Sequence, residues 1–224
     1  MKRFLRDNSL ALTFLALFLA ALTLQSVAGW HDFNNDQLRH QSEAISYGRY
    51  VLSSEFGVAM LENWQSEYLQ FALYIFATIW LLQRGSPESK EADKLGRQSE
   101  EQQGIGRHAS DDSPRWARVG GLRTAVFSNS LLFVMGAIFI ASWFGQSITG
   151  RTAYNEERLE HLQNPVAYWD YLTQADFWER TFQNWQSEFL AIGSMAILAV
   201  YLRQRGSPES KPVGAPHSAT GAEG

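Results

Sequence analysis

The chain has 224 residues, a formal net charge of -4 at pH 7 and no cysteine. The lack of cysteine excludes a disulfide framework, a thiolate metal site and a cysteine nucleophile, and the mild charge gives no reason to expect nucleic acid as a partner. A mean hydropathy of -0.24 is typical of a soluble protein, but it averages over a segregated chain in which the apolar residues fall in four blocks.

The first apolar block, residues 10–27, has no charged residue and predicts a helix able to cross the roughly 30 Å of hydrocarbon in a bilayer. A cleavable signal peptide is the competing interpretation, because basic residues precede the block and Ser26-Val27-Ala28 has the small-x-small form of a cleavage site. A similar block at residues 131–148 lies in mid-chain, where it cannot be a signal. Both blocks begin after Asn-Ser and end with Gln-Ser, which favours a retained helix.

The second apolar block, residues 64–82, lies between two motifs that recur together later in the chain. Asn-Trp-Gln-Ser-Glu at 63–67 returns at 184–188, and Gln-Arg-Gly-Ser-Pro-Glu-Ser-Lys at 83–90 returns at 204–211. The offset is 121 residues for both motifs, and roughly a third of the paired positions up to Lys90 are identical. This self-similarity predicts an internal duplication.

The second block and the fourth, residues 185–202, are predicted to be helices that begin earlier, near Ser54 and Ala175. Each is followed by Arg-Gly-Ser-Pro, which is typical of a helix end, with a cation on the last turn, then Gly and Pro. A helix of about 28 residues is about 42 Å long and exceeds the membrane core. Its outer end should therefore reach the headgroup layer.

The predicted fold class is an all-α membrane protein with four transmembrane helices, arranged as two parallel-repeat helical hairpins with short helices in the outer loops. Such a parallel duplication places a pseudo-two-fold axis along the membrane normal. Fourteen of the 19 Lys and Arg residues lie on the side of both chain ends and the central linker, against five in the opposite loops. This asymmetry predicts a multi-pass inner-membrane protein with both termini in the cytoplasm.

The predicted domains are a first membrane repeat at residues 1–90, a linker at 91–119, a second membrane repeat at 120–211 and a tail at 212–224. The linker and the tail are rich in polar residues and poor in large apolar ones. Because such segments bury too little surface to offset their ordering entropy, both are predicted to be disordered.

Four residues are predicted to anchor the helices at the two membrane surfaces. Two are tryptophans about 27 Å from the inner helix ends, the depth of an aromatic belt, and two are arginines of the helix-end motif. The anchors are Trp64, Trp185, Arg84 and Arg205. The helix-end motif is interpreted as a cap and interfacial anchor, with a docking site for a cytoplasmic partner as the alternative.

Polar side chains recur at one depth, about 22 Å from the inner helix ends. Asn63, Ser66 and Glu67 share one helix face by their spacing, and the equivalent residues repeat that face in the second copy. No Lys or Arg lies in any span to pair with the two acids. The candidate polar layer consists of Gln25, Asn63, Ser66, Glu67, Gln146, Asn184, Ser187 and Glu188. Glu67 and Glu188 are expected to face the interior near the two glutamines.

Two interpretations of this layer stay open. Asn, Gln and Ser across helices commonly act as packing contacts, which favours a structural role. An intramembrane carboxylate is costly to bury and is a candidate site for an ion, a proton or a ligand. His40 and His161 could join such a site as metal ligands, but isolated loop histidines are weak evidence, so no metal is predicted.

Packing is also indicated by a pair of small residues. Ala16 and Ala20 recur as Ala137 and Ala141, a small-xxx-small spacing that allows helix backbones to approach closely. We therefore expect the first and third helices to carry closely packed faces.

No nucleotide-binding loop, dinucleotide fingerprint, nucleophile elbow or His-Glu-x-x-His motif occurs in the sequence. The protein is therefore not expected to be an enzyme or to carry a cofactor. The partner predicted from composition is the lipid bilayer, and the further classes left open are a second copy of the chain and another membrane protein.

The repeated Asn-Trp-Gln-Ser-Glu and Arg-Gly-Ser-Pro-Glu-Ser motifs resemble those of a family of small bacterial membrane proteins classed only as a domain of unknown function. The resemblance covers both repeats and omits the linker and tail. It implies a four-helix inner-membrane protein and transfers no functional residue. The function expected is structural or partner-organising, with a small transporter or an ion- or proton-binding membrane protein as the alternative.

Overall fold

The computed structural model describes residues 2–222, and every regular element in that range is helical. Expectations about the location of the two chain ends and about the last residues of the tail lie outside the described residues. The helices in chain order are α1 (Lys2–Asp7), α2 (Ser9–Arg39), α3 (Tyr47–Tyr50), α4 (Ser54–Trp80), α5 (Arg115–Arg118), α6 (Gly121–Ser128), α7 (Ser130–Glu160), α8 (Tyr168–Tyr171) and α9 (Ala175–Tyr201).

The four long helices match the apolar blocks and extend beyond them. The predicted starts of α4 and α9 near Ser54 and Ala175 are confirmed, and both helices end just before the Arg-Gly-Ser-Pro segments. By contrast, α2 continues about three turns past its apolar block because residues 28–39 contain no proline and keep the helical backbone. The bounds of α2, α3 and α4 recur 121 residues later as those of α7, α8 and α9.

Two of these helices are long and apolar enough to cross a membrane by length and composition, namely α2 and α7. The all-helical part of the predicted fold class is therefore confirmed over the described residues. Four crossings remain a proposal, because α4 and α9 carry several charged residues in their first halves.

The chain divides into two compact units. One comprises the residues up to Met60 together with Gly145–Tyr171, and the other comprises Leu61–Phe144 together with the residues from Leu172 onward. Each unit is described on its own.

The first unit contains two helix–turn–helix segments with the same local structure. At the end of α2, Ser42 N–H donates to Gln37 O and Gln41 N–H donates to Leu38 O. These two bonds form a Schellman motif, in which Gln41 adopts a left-handed φ of 59°. The end of α7 has the same pair of bonds, with Leu162 in the left-handed position at φ 57°.

An asparagine then fixes the returning chain in each segment. The side chain of Asn34 donates to Ile45 O (3.0 Å) and accepts from Ile45 N–H (2.8 Å). Asn155 makes the same pair of bonds to Val166, at 3.1 and 2.8 Å. The predicted short helices of the outer loops follow directly as α3 and α8.

The second unit has an aromatic core centred on Trp143. Its ring lies 5.7–6.2 Å, centroid to centroid, from those of Phe139, Phe177, Trp178 and Trp185. Arg180 of α9 forms two ion pairs in the same unit, with Glu62 of α4 at 3.5 Å and with Asp176 of α9 at 3.1 Å. The aromatic contacts and the ion pair with Glu62 hold α9 against α4 and α7 within this unit.

The central linker carries only short turns. It contains two single-turn 3₁₀ helices, Ala92–Lys94 and Gly106–His108, followed by α5. Its disorder in solution remains a prediction.

Candidate functional site

The candidate polar layer is split between the two units and is unequally buried. In the first unit, Gln25 is exposed, whereas Gln146 has no exposed surface. Neither amide atom of Gln146 has a hydrogen-bond partner within residues 2–222. Burying an amide without hydrogen-bond partners costs folding free energy, so the Gln146 side chain destabilises the first unit.

On α4, the buried polar face lies one residue away from the predicted one. Ser66 is 1% exposed, as expected, but Asn63 and Glu67 are exposed. The residue that sequence reasoning missed is Gln65, which has no exposed surface. Gln65, Leu69 and Ala72 are all buried and lie on one helical stripe. No sequence signal distinguishes this stripe, because Gln186 and Leu190 have the same spacing in the second copy and are exposed.

Gln65 is held by two hydrogen bonds. Its Nε2 donates to Glu62 O at 3.1 Å, and its Oε1 accepts from the indole Nε1 of Trp185 at 2.7 Å. Both ends of the buried amide are therefore satisfied, one of them by the neighbouring helix α9. The structural interpretation of the layer predicts an interhelical hydrogen bond of this kind.

On α9, Asn184 and Glu188 are half-buried and Ser187 is exposed. Glu67 lies close enough to Glu188 for the two carboxylates to interact electrostatically. The expectation that both acids face the interior is therefore not met for Glu67. Because no third His, Asp or Glu joins them within the described residues to complete a metal-binding group, the arrangement is a pair of acids at the surface of the second unit.

The predicted anchors differ in their surroundings. Trp64 and Trp185 are half-buried, and Trp185 packs among aromatic rings of its own unit. Arg84 and Arg205 are exposed, as an interfacial role requires. Their placement at a membrane surface remains a prediction.

The small residues Ala16, Ala20, Ala137 and Ala141 are exposed in the single chain. The closely packed faces expected from their spacing are therefore not formed by contacts within the described residues. A shallow groove does lie over the start of α2, lined by Leu5, Ser9, Leu12, Thr13, Ala16 and Leu17.

The two helix-end motifs fold into the same turn. Gly85 and Gly206 have left-handed φ angles of 89° and 84°. Gln83 N–H donates to Ser89 Oγ at 3.0 Å, and Gln204 N–H donates to Ser210 Oγ at 2.9 Å. In both copies the serine hydroxyl accepts a hydrogen bond from a backbone N–H just past the helix and so stabilises the turn. The cap interpretation remains a prediction, because the groups that a helix end leaves unsatisfied are carbonyls.

The lysine that ends each motif bonds to the chain beyond it. Lys90 Nζ donates to Gly96 O at 2.8 Å, and Lys211 Nζ donates to His217 O at 2.9 Å. Both bonds span six residues. The structural similarity of the two halves therefore continues past Lys90, where the sequence similarity ends.

Burial shifts the pKa of two groups outside the long apolar helices. It raises the pKa of the Tyr50 phenol above its usual value, and the nearby carboxylates of Glu55 and Asp32 add to the effect. It lowers the pKa of the Lys211 ammonium, with a further contribution from the charge of Arg203. Both shifts arise where a polar group is enclosed by neighbouring chain.

The comparison with known families is decisive for classification. Residues 1–222 match the family described as a domain of unknown function (DUF6766). The chain belongs to this family. No curated protein and no solved structure matches the chain. The family assignment agrees with the resemblance in the repeated motifs and provides no activity. The match also includes the linker and most of the tail, which the resemblance was expected to omit.

Proposed function

We propose that this protein is a multi-pass membrane protein whose role is structural or partner-organising. The observation that carries the proposal is the exposure of its most apolar helices. Only 6% of the apolar 18-residue stretch of α2 and 17% of that of α7 is buried against the rest of the protein. A helix that is apolar on all sides is stable only in a protein core or in lipid, and these helices are not in a core.

The two remaining long helices support the same proposal. Large apolar side chains stand exposed along the second half of α4, including Phe71 (48%), Phe76 (51%) and Trp80 (49%). Those on α9 include Leu190 (65%), Ile197 (55%) and Leu198 (50%). Apolar surface of this extent would favour aggregation in water, whereas lipid would cover it. We therefore propose that α2, α4, α7 and α9 all cross the bilayer of the cell inner membrane.

We further propose that the chain arose by internal duplication. The repeated helix bounds, the paired Schellman motifs and the paired lysine bonds support this origin. Two hairpins with the same orientation would place both chain ends and the linker in the cytoplasm, in agreement with the Lys and Arg asymmetry.

The proposed role follows from the nature of the buried polar groups. Gln65, Ser66 and Thr181 are fully buried, and each bonds to a neighbouring backbone or aromatic group. The contact between Gln65 and Trp185 joins two helices within the second unit, and together these contacts support a packing role for the buried polar groups. We propose that a neighbouring membrane helix, from a second copy or another membrane protein, packs on the exposed apolar surface at the start of α2.

A topology experiment tests this proposal. Reporters inserted at Glu43 and Asn164, in the loops that follow α2 and α7, should both read external. A reporter inserted at Gln102 in the linker should read cytoplasmic, and the protein should stay in the membrane fraction after alkaline extraction. A cytoplasmic reading at Glu43 or Asn164, or release by alkali, would overturn the proposal.

A second candidate function rests on the neighbouring acids. Because Glu67 and Glu188 are close enough to repel each other, a proton or a cation shared between them would relieve that repulsion. A small transporter or ion-binding protein would use such a pair. The bonded amide of Gln65 on the same helix favours the structural role.

A further inference from the structure

The two helix-end turns have the same sequence and nearly the same backbone, yet they differ in burial. Gly85, Ser86 and Pro87 of the first turn are buried, whereas Gly206 and Pro208 of the second are exposed. Local sequence cannot produce this difference, since the eight residues of the motif are identical in the two turns. Another part of the chain must cover the first turn.

The covering segment is residues 212–222, which belongs to the same compact unit. Thr220 Oγ1 accepts a 2.9 Å hydrogen bond from Gly85 N–H, and Gly221 N–H donates a 3.0 Å bond to Ser86 O. The carbonyl oxygen of His217 lies so close to the position of a Cβ on Gly85 that a side chain there would collide with it. The segment thus pairs with the first turn through backbone groups.

Lys211 fixes the path of this segment at its origin. Its side chain is 1% exposed, and its Nζ donates to His217 O (2.9 Å) and Ala219 O (3.2 Å). Arg203 adds a bond from its guanidinium to Ala215 O at 3.1 Å. The composition predicts disorder because little apolar surface is buried, but the structure holds the segment with cation–carbonyl and backbone hydrogen bonds instead.

We propose that residues 212–222 form a removable strap that covers the first helix-end turn and leaves Gly206 and Pro208 of the second turn exposed. The strap ties the end of α4 to the end of α9. It also blocks Gly85 N–H and Ser86 O, which are available to another peptide only when the strap has left. The inferred device is therefore an intramolecular cover over one of two turns of identical sequence.

The paired glycines supply a matched experiment. Gly85→Ala and Gly206→Ala both place an alanine at a left-handed φ and suffer the same backbone strain. Only Gly85→Ala also collides with its surroundings, namely with His217 O of the strap and with Val200 of α9, because a Cβ at Gly206 meets no atom within 4 Å. Thr220→Val changes the strap without touching Val200 and therefore separates the two collisions. Amide hydrogen exchange of residues 212–222 is measured for the full-length protein in detergent, so the result does not depend on whether the helices cross a bilayer.

In the wild-type protein and in Gly206→Ala, the Gly221 amide should be protected. In Gly85→Ala its exchange should be roughly tenfold faster or more, because the strap is displaced. Free exchange in the wild type, or equal effects of the two alanines, would overturn the proposal. If Gly85→Ala does not fold, Thr220→Val is the alternative, because it removes the acceptor for Gly85 N–H at nearly constant volume. It should produce the same increase in the exchange rate of the Gly221 amide. An unchanged exchange rate in Thr220→Val would equally contradict the strap.

Discussion

The indole Nε1 of Trp185 donates a 2.7 Å hydrogen bond to Oε1 of Gln65. The two residues come from the two occurrences of Asn-Trp-Gln-Ser-Glu, one on α4 and one on α9. Gln65 has no exposed surface, whereas Gln186, which holds the same place in the second motif, is exposed. Two identical motifs therefore take different roles, one supplying the buried amide and the other the aromatic donor.

This asymmetry predicts unequal effects of one substitution at the two positions. Gln65→Leu leaves the Trp185 N–H without its acceptor in a buried site and should lower the free energy of unfolding by about 1–3 kcal/mol. Gln186→Leu, on an exposed surface, should change it by about 0.5 kcal/mol or less. Thermal unfolding of both variants in the same detergent measures the difference. Equal losses would show that the two glutamines are equivalent in solution.

Two glycines of α7 give a second matched pair. A Cβ at Gly150 would lie 2.6 Å from the hydroxyl oxygen of Tyr171 and 3.3 Å from Val58, whereas a Cβ at Gly136 meets nothing within 4 Å. Gly150→Ala should therefore cost about 1–3 kcal/mol through overpacking. Gly136→Ala should raise stability by about 0.5–1 kcal/mol through better helix propensity. A stable Gly150→Ala variant would mean that the phenol of Tyr171 does not pack on α7 as described.

Leu162 offers a stabilising substitution. It adopts a left-handed φ of 57° at the Schellman position after α7, and 96% of its surface is exposed. Because glycine adopts this conformation without strain, Leu162→Gly should raise the free energy of unfolding by about 0.5–1 kcal/mol. Leu162→Ala keeps the strain and removes the side chain, so it should have little effect. A gain with alanine instead would assign the effect to the exposed leucine side chain.

The phenol of Tyr50 should make the free energy of unfolding decrease at alkaline pH. Burial, followed by Glu55 and Asp32, raises its pKa in the folded state. The unfolded state then loses its proton first as the pH rises, so the stabilising contribution is complete below the ordinary tyrosine pKa of about 10 and is lost above it. Tyr50→Phe should reduce the decline of the melting temperature between pH 9 and 11, whereas Tyr201→Phe, at an exposed position, should leave it unchanged. An identical decline in both variants would contradict the burial of the Tyr50 phenol.

Sequence periodicity predicted the helices well, because long apolar runs bounded by Gly and Pro leave few local alternatives. The starts of α4 and α9 and the ends marked by Arg-Gly-Ser-Pro follow from such signals. The burial of Gln65 in place of Glu67 could not be predicted from the motif alone, since the two copies have identical residues. Which copy is buried depends on the packing of α9 against α4, a tertiary contact. The covered first turn is a similar case, because its partner lies more than a hundred residues away in sequence.

The acid pair distinguishes the structural role from the ion-binding role. Glu67 is exposed and interacts electrostatically with half-buried Glu188, and their charges have the same sign. Glu67→Gln keeps the shape and the hydrogen-bonding capacity of the side chain and removes one charge. If the pair has a packing role, the free energy of unfolding of this variant at pH 8 should equal that of the wild type or exceed it by about 0.5 kcal/mol. Millimolar Na⁺, K⁺, Mg²⁺ or Ca²⁺ should then leave the wild-type melting temperature unchanged at constant ionic strength. Glu179→Gln, at an exposed position on the same helix as Glu188, is the control for a simple change in net charge. A wild-type melting temperature that rises with one of these cations and no longer responds in Glu67→Gln would instead establish a cation site at this pair and refute the packing role.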